Sequence, residues 1–343
     1  MVQASSRADE RVRDVGFLSR QMTRPELAAV GGAILVFAFF AIVAGDSGFL
    51  TFGGTMSYLQ VAAQLGIVAV PVSLLMISGE FDLSVGSMVG AAGIMIAVTI
   101  TELGWPLWAA ALFTCVVAMA IGAFNGFLVI KTGLPSFIVT LAMLFALRGL
   151  TIGFSRLITG RTQIGGLGGA TENDLLTPIF AGEIAGFPVS VLWWLGLAVL
   201  GTWVLQRTVF GNWIFGAGGD ASGARSVGVP VNRVKIILFM CTALAASLLA
   251  IIQVMDAGSA DVLRGELLEL QAIAAAVVGG CLLMGGYGSV IGAVFGALIF
   301  GMVQQGIFFT GVNTDWFLVF VGVTLLVAVL FNNYIRKRAT EAR

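Results

Sequence analysis

The chain has 343 residues, 58% of them hydrophobic and 10% charged, with a mean hydropathy of +1.01 and a formal net charge of zero. Soluble domains carry about 25% charged residues, so this composition excludes a soluble enzyme, and the balanced charge removes the basic patch that a nucleic acid partner requires. The apolar residues form unbroken blocks instead of the two-residue alternation of a transmembrane barrel, which predicts an all-α polytopic membrane protein.

Residues 1–26 are polar and carry Arg7, Arg11, Arg13, Arg20 and Arg24. The first apolar block, 27–44, follows this leader as the core of a signal peptide would, yet Ile42 stands where a cleavage site requires a small residue. The block is therefore expected to persist as a helix. Nine further blocks lie at 58–78, 85–100, 106–130, 135–154, 188–205, 234–255, 270–284, 290–310 and 316–331, giving about ten transmembrane helices in one domain over 27–335. If such a chain starts in the cytoplasm, that side collects the five leader arginines, Lys131, Arg207, Arg225, Arg233, Lys235, Arg336, Lys337, Arg338 and Arg343. The outer side collects only Arg156, Arg161 and Arg264. This asymmetry predicts cytoplasmic N- and C-termini, with a cytoplasmic segment 1–26 and a cytoplasmic tail 336–343. The outer side then holds the acids Asp46, Glu102, Glu172, Asp174, Glu183, Asp256, Asp261, Glu266, Glu269 and Asp315.

Two connections exceed a turn. The periplasmic loop 155–187, with GGLGGA at 165–170, reads as surface loop with room for one amphipathic piece. Its glycines lack the following helix and basic company of a phosphate cradle. In the cytoplasmic loop 206–233, Asp220 is placed to cap a short helix over 221–227, which Gly228 and Pro230 would end. A small helix that buries nothing of its own suits a docking piece. There is also an internal echo: GSMVGA at 86–91 returns as GSVIGA at 288–293, each opening a span after a very short turn. Interrupted helices in corresponding places point to a transport path.

Chemistry-bearing groups are few. Histidine is absent, which removes the commonest metal ligand and general base together. Cys115, Cys241 and Cys281 lie far apart in apolar blocks and read as small buried hydrophobes. No catalytic residue and no metal site is expected. The stretch GFLVIKT at 126–132 lacks the glycine before lysine that a P-loop needs, so any ATP hydrolysis must come from a separate polypeptide.

The segment SGEFDLSVGS at 78–87 sets Glu80 and Asp82 between apolar blocks, with Pro71 upstream able to kink the preceding helix. It is either a tight cytoplasmic turn, with Asp82 capping a helix that begins at Leu83 or Ser84, or a helix broken within the membrane. Candidates for a translocation path are Gln60, Gln64, Asp82, Asn125, Gln271, Gln304 and Gln305, with interhelical hydrogen bonding as the default use of such amides, Gln253 included. Arg148, inside a span, is expected to bond a carbonyl or to snorkel. The scarcity of intramembrane acids speaks for a neutral solute and against ion coupling.

Four stretches resemble one family in order and spacing: ISGEFDLSVGSMVG (77–90), NGFLVIKTGLPSFIVTLAMLFALRG (125–149), FGNWIFGAGGDASGARSVGVPVNRVK (210–235) and AIAAAVVGGCLLMGGYGSVIGAVFGALIFG (272–301). The chain is similar to the permease subunits of ribose-type ABC sugar importers, and departs from their usual signature at Glu80 and Phe81, where Gly and Ile are common. The resemblance implies an inner-membrane, multi-pass subunit, working by alternating access as one of two permease copies, a homodimer by expectation. It implies an ABC ATPase that holds the ATP and magnesium, a periplasmic solute-binding protein, and a small neutral sugar or polyol as cargo. It further implies that Gly219, Asp220, Ala224, Arg225, Gly228 and Val229 belong to the element that docks on the ATPase. Rival expectations are a permease for another neutral solute or a branched-chain amino acid, whose corresponding turn carries a histidine, and an ion-coupled secondary transporter.

Overall fold

The computed structural model describes residues 25–171 and 174–341. The five leader arginines, Glu172 and Arg343, used above for orientation, lie outside the described residues.

The ten apolar blocks fall on helices, except that the block 270–284 continues past the end of its helix at Val278: α1 (Pro25–Val43), α2 (Phe52–Ile77), α3 (Val85–Thr101), α4 (Leu107–Thr132), α5 (Ser136–Thr159), α8 (Val189–Arg207), α11 (Val231–Ala257), α12 (Leu268–Val278), α13 (Val290–Phe309) and α14 (Trp316–Glu341). Seven of them are long and apolar enough to cross a membrane, and α3, α12 and the apolar part of α14 are shorter. At 1.5 Å per residue α12 spans only about 16 Å, so it does not cross a ~30 Å hydrocarbon layer alone. The last block continues as helix through 336–341, where a separate tail was expected.

Local chemistry explains where helices begin and end. Thr51 caps α2 by accepting from the Gly54 N–H at 3.0 Å, and Pro106 and Pro135 stand just before α4 and α5. Glycines at positive φ close α4 (Gly133), α5 (Gly160) and α11 (Gly258). The core is built around α2, 83% of whose apolar window is buried, packed against α13, α8, α11 and α12; α11 also packs closely on α4 and α3, and α13 on α1. A Cβ at Gly301 of α13 would meet the Tyr58 carbonyl oxygen of α2 at 2.5 Å. That backbone-to-backbone approach is how helices associate where lipid supplies no hydrophobic drive.

Two regions differ from the expected loops. Between α5 and α8 lie β1 (Gln163–Ile164), α6 (Leu167–Thr171), α7 (Thr177–Phe180) and a small hairpin of β2 (Glu183–Ile184) with β3 (Phe187–Pro188). The region was expected to be mostly irregular; it is organised because β1 pairs antiparallel with β4 (Ala260–Asp261) and Leu167 is fully buried. The 206–233 connection holds not one helix but two, α9 (Val209–Gly219) and α10 (Ala221–Ser226). We refer to the bundle end that carries α10 as the α10 end; α2, α4, α8 and α12 finish there, and α5, α11 and α13 start there.

The repeats 86–91 and 288–293 sit differently, Gly86 and Ser87 inside α3 but Ser289 capping α13 and Gly288 before it; the structural likeness lies just upstream, in the turns that end α2 and α12. At the end of α2 the N–H groups of Ser78, Gly79 and Glu80 donate to the carbonyls of Leu74, Met76 and Leu75, and at the end of α12 those of Gly279, Gly280 and Cys281 donate to Ala275, Val277 and Ala276. The same left-handed closure is made by Gly79 (φ 86°) and Gly280 (φ 91°). After each turn the chain re-enters the bundle as α3 or α13.

Candidate functional site

The α10 end concentrates the unusual features. Asp220 Oδ1 accepts from the Ser222 and Gly223 N–H groups, both at 3.0 Å, which starts α10 as the sequence predicts. Gly228 (φ 89°) follows its end. Ala224 is the side chain of α10 that turns inward, packing with Ala217 and Val231, while Ser222, Arg225, Ser226 and Val227 are exposed. Arg225 is not free: its Nη2 donates to Asn232 Oδ1 at 3.1 Å, bracing α10 against the first turn of α11.

Just before α10 the chain passes through a junction made of glycines. The Gly286 N–H donates to the Ile77 carbonyl at 2.8 Å. A Cβ at Gly218 would stand 2.6 Å from the Gly286 nitrogen and would overlap the Ile77 carbonyl oxygen, and a Cβ at Gly285 would stand 2.7 Å from the Gly79 Cα. Three backbones, those of α9, the end of α2 and the turn before α13, therefore meet with no side chain between them. Gly219, by contrast, has room: its Cβ would meet only the Gly286 Cα, at 4.0 Å.

The segment between α2 and α3 is a break inside the bundle, not an exposed turn. Asp82 is 1% exposed. Its Oδ1 accepts from the Ser84 N–H (3.0 Å) and Ser84 Oγ (2.6 Å), and its Oδ2 accepts from Thr242 Oγ1 at 2.6 Å. Thr242 lies three turns into α11, roughly 16 Å from its start by helix rise, so the break reaches well into the bundle. Helix α3 starts at Val85 with Ser84 at its cap position, slightly later than expected, and the Asp82 carboxylate is shared between that start and α11. Asn125 of α4 donates to Ser84 Oγ at 2.9 Å. On the other side Ser136 and Thr140 of α5 accept from the Phe81 and Leu83 N–H groups at 3.0 and 3.1 Å. Glu80 pairs with Lys235 of α11, both side chains largely buried. A polar cavity of about 380 Å³ lies here, lined by Glu80, Arg225, Asn232 and Lys235 among others.

A family model described as branched-chain amino acid transport system / permease component matches residues 54–329. The chain belongs to this permease family. The chain is also 34% identical to the ribose import permease protein of Escherichia coli over 92% of its length and 96% of the relative's, and 30% identical to the xylose transport system permease protein of the same organism over 94% and 96%. A probable ABC transporter permease protein of Sinorhizobium fredii is 33% identical over 92% and 91%. No solved structure matches. The chain is thus a transport permease component, not an enzyme, and a multi-pass protein of the bacterial inner membrane.

Within this permease the candidate path residues fall into separate groups. Asp82 and Asn125 come together through Ser84. Gln64 and Gln60 face α11 near the opposite end, Gln64 Oε1 accepting from Gln253 Nε2 at 3.0 Å and Gln60 lying near Asp256. Gln271 lies on α12 and Gln304 and Gln305 on α13, all half-buried. A cavity of about 500 Å³ between α2, α4, α8 and α11 is lined by Val70, Leu74, Cys115, Trp193, Leu197, Leu248 and other apolar groups. Its walls cannot satisfy a solute's hydroxyl groups.

Two readings are corrected. Arg148 bonds neither a carbonyl nor an interfacial group among the described residues: its Nη1 lies 3.4 Å from Glu266 Oε1. Arg264, Glu266 and Glu269 do not sit on an outer loop surface, because residues 260–265 descend along α3. Ala260 faces Gly93, the Val262 and Arg264 carbonyls face Gly90, and Gly265 packs on Gly86 at the foot of α3. Hydropathy missed this descent since the segment is short and charged. The glycines at 86, 90 and 93, spaced to share one helix face, were the available signal.

Proposed function

We propose that this permease carries a neutral sugar or related polyol into the cytoplasm, driven by ATP hydrolysis on a separate ABC ATPase and supplied by a periplasmic solute-binding protein. The observation that carries the reading is the junction of Gly218, Gly285 and Gly286, which ties α9, the helix leading into the exposed α10, to the end of α2 and to the turn before α13. A docking helix joined through α9, backbone to backbone, to these segments gives a partner's motion a direct route to the solute path. The ribose and xylose relatives support the cargo class.

In this reading the α10 end faces the cytoplasm, the ten helical blocks form the permease domain over 27–335, and two copies build the pore. Asp220, Gly219, Ala224, Arg225, Gly228 and Val229 belong to the coupling element: Asp220 starts the helix, Ala224 seats it, Arg225 and Val227 present its outer face, and Gly219 is a connecting position with room for a methyl group. ATP and magnesium belong to the ATPase, and the permease itself carries no cofactor. Asp82 and Asn125 hold the break in place. A path for a polyol must open as a wet cavity, since desolvating hydroxyls without replacement partners costs several kcal/mol.

The test is uptake by proteoliposomes holding the permease, its ATPase and its binding protein, offered labelled pentoses, polyols and branched-chain amino acids. ATP-dependent accumulation of a pentose or polyol is the expected result. Accumulation of amino acids alone, or uptake by the permease without the ATPase, refutes the reading.

A further inference from the structure

The descent of residues 260–265 along α3 ends at an elbow, residues 266–269, whose position can be bounded from two directions. Gly86 lies roughly 22 Å below the far end of α3 by helix rise, and Gly265 and Glu269 pack on it. From the elbow, α12 takes about 16 Å to return to the α10 end. The elbow is thus near the middle of the bundle's depth. Leu267 holds a left-handed conformation there (φ 62°), which is unfavourable for a residue with a side chain.

Three charged groups gather at this elbow. Arg148, half-way along α5, pairs with Glu266 and also lies within electrostatic reach of Glu269. Glu269 is 6% exposed and its Oε2 has no hydrogen-bond partner; Arg148 Nε and Nη2 have none either. The Glu266 side chain is 55% exposed. An exposed carboxylate at mid-depth cannot face hydrocarbon at acceptable cost, and intramembrane charges of this kind turn to a water-filled cavity or a partner surface. The exposed Glu266 carboxylate can accept from a solute hydroxyl, while the unpartnered Arg148 Nε and Nη2 and Glu269 Oε2 are buried in the same cluster.

We propose that Arg148, Glu266 and Glu269 form a mid-membrane station in the translocation path, where hydroxyl groups of the transported solute exchange hydrogen bonds with the Arg148–Glu266 pair. This rests on the sugar or polyol reading above. The pair satisfies itself loosely when the station is empty, so a solute trades one set of charge-assisted hydrogen bonds for another and leaves as readily as it arrives. Such a station passes polyols without holding them.

Two measurements on the assembled complex test it. In proteoliposomes of permease, ATPase and binding protein, Glu266→Gln should lower the initial uptake rate by about tenfold, the scale of one charge-assisted hydrogen bond, with the complex still co-purifying intact. In a background of Cys115→Ala, Cys241→Ala and Cys281→Ala that retains uptake, Glu266→Cys should react with a charged, membrane-impermeant methanethiosulfonate in solubilised complex, and saturating solute during turnover should slow that reaction. Uptake by both Glu266→Gln and Glu266→Ala within twofold of wild type overturns the station. So does reaction of Glu266→Cys with a lipid-soluble maleimide but not the charged reagent, or a complex that no longer assembles in either variant. Failure of the wild-type complex to take up any polyol defeats the cargo reading instead, and it is read from wild type alone.

Discussion

Gly218→Ala is the sharpest perturbation of the coupling junction because its neighbour supplies a matched control. The added methyl would stand 2.6 Å from the Gly286 nitrogen and overlap the Ile77 carbonyl oxygen, so α9 must move away from the end of α2. Overpacking of this kind costs about 1–3 kcal/mol, and disturbing the Gly286 N–H to Ile77 carbonyl bond adds about 1 kcal/mol, roughly 2–4 kcal/mol together. At Gly219 the same methyl meets only the Gly286 Cα at 4.0 Å, which predicts a change within about 0.5 kcal/mol. Thermal unfolding of the two variants in detergent should separate them by several degrees. ATP-driven uptake by the reconstituted complex should fall sharply in Gly218→Ala and stay near wild type in Gly219→Ala. Equal behaviour of the two variants in both assays refutes the view that α10 acts through this backbone contact.

Lys235→Met leaves the Glu80 carboxylate buried without its partner and should cost about 3–5 kcal/mol, whereas Lys235→Met with Glu80→Gln should recover most of that; a double-mutant cycle of unfolding measures the difference. Cys281 is 1% exposed. It should therefore resist iodoacetamide in the folded protein, as mass spectrometry of alkylated peptides will show, and become modified on unfolding. In a cysteine-free background, Glu183→Cys should label from outside intact spheroplasts and Arg225→Cys should not. The reverse pattern overturns the orientation.

The ten helical blocks and the Asp220 cap were legible in the sequence because each rests on a local signal, a hydrophobic run or a side chain set to accept backbone N–H groups. The contents of the connections were not. VFGNWIFGAGG, residues 209–219, has four glycines and a short apolar run, and it forms α9 because Thr208 caps it and α8 and α11 cover it. The partner of Arg148 was hidden because Glu266 is far away in sequence and comes near only when residues 260–265 fold back along the glycines of α3. At the junction the decisive residues have no side chains, so no pattern of polarity or charge marks them; what distinguishes Gly218 from Gly219 is the neighbour that only the fold brings.

The twin closures at Gly79 and Gly280 bear on how motion at α10 reaches the solute path. Each broken helix ends in the same hydrogen-bonded turn, and the first of these turns meets Gly285 and Gly286 of the segment before α13, and Gly218 of α9, through backbone atoms. A contact between side chains absorbs a displacement by changing rotamers, but a contact between backbones in a close-packed interior passes it on. Beyond the first turn, the Phe81 and Leu83 N–H groups bind α5, Asp82 binds α11, and Glu80 binds Lys235. A shift of α9 toward or away from Ile77 therefore has to be taken up by the break between α2 and α3, the segment held by the most interhelical polar contacts, and by the start of α13. Both places are the feet of helices that enclose the elbow at 266–269, since α3 carries Gly86 against Glu269 and α13 packs along α12. Small displacements at such an interface switch between packings instead of deforming continuously, which is the behaviour required to open a mid-membrane station to one side at a time.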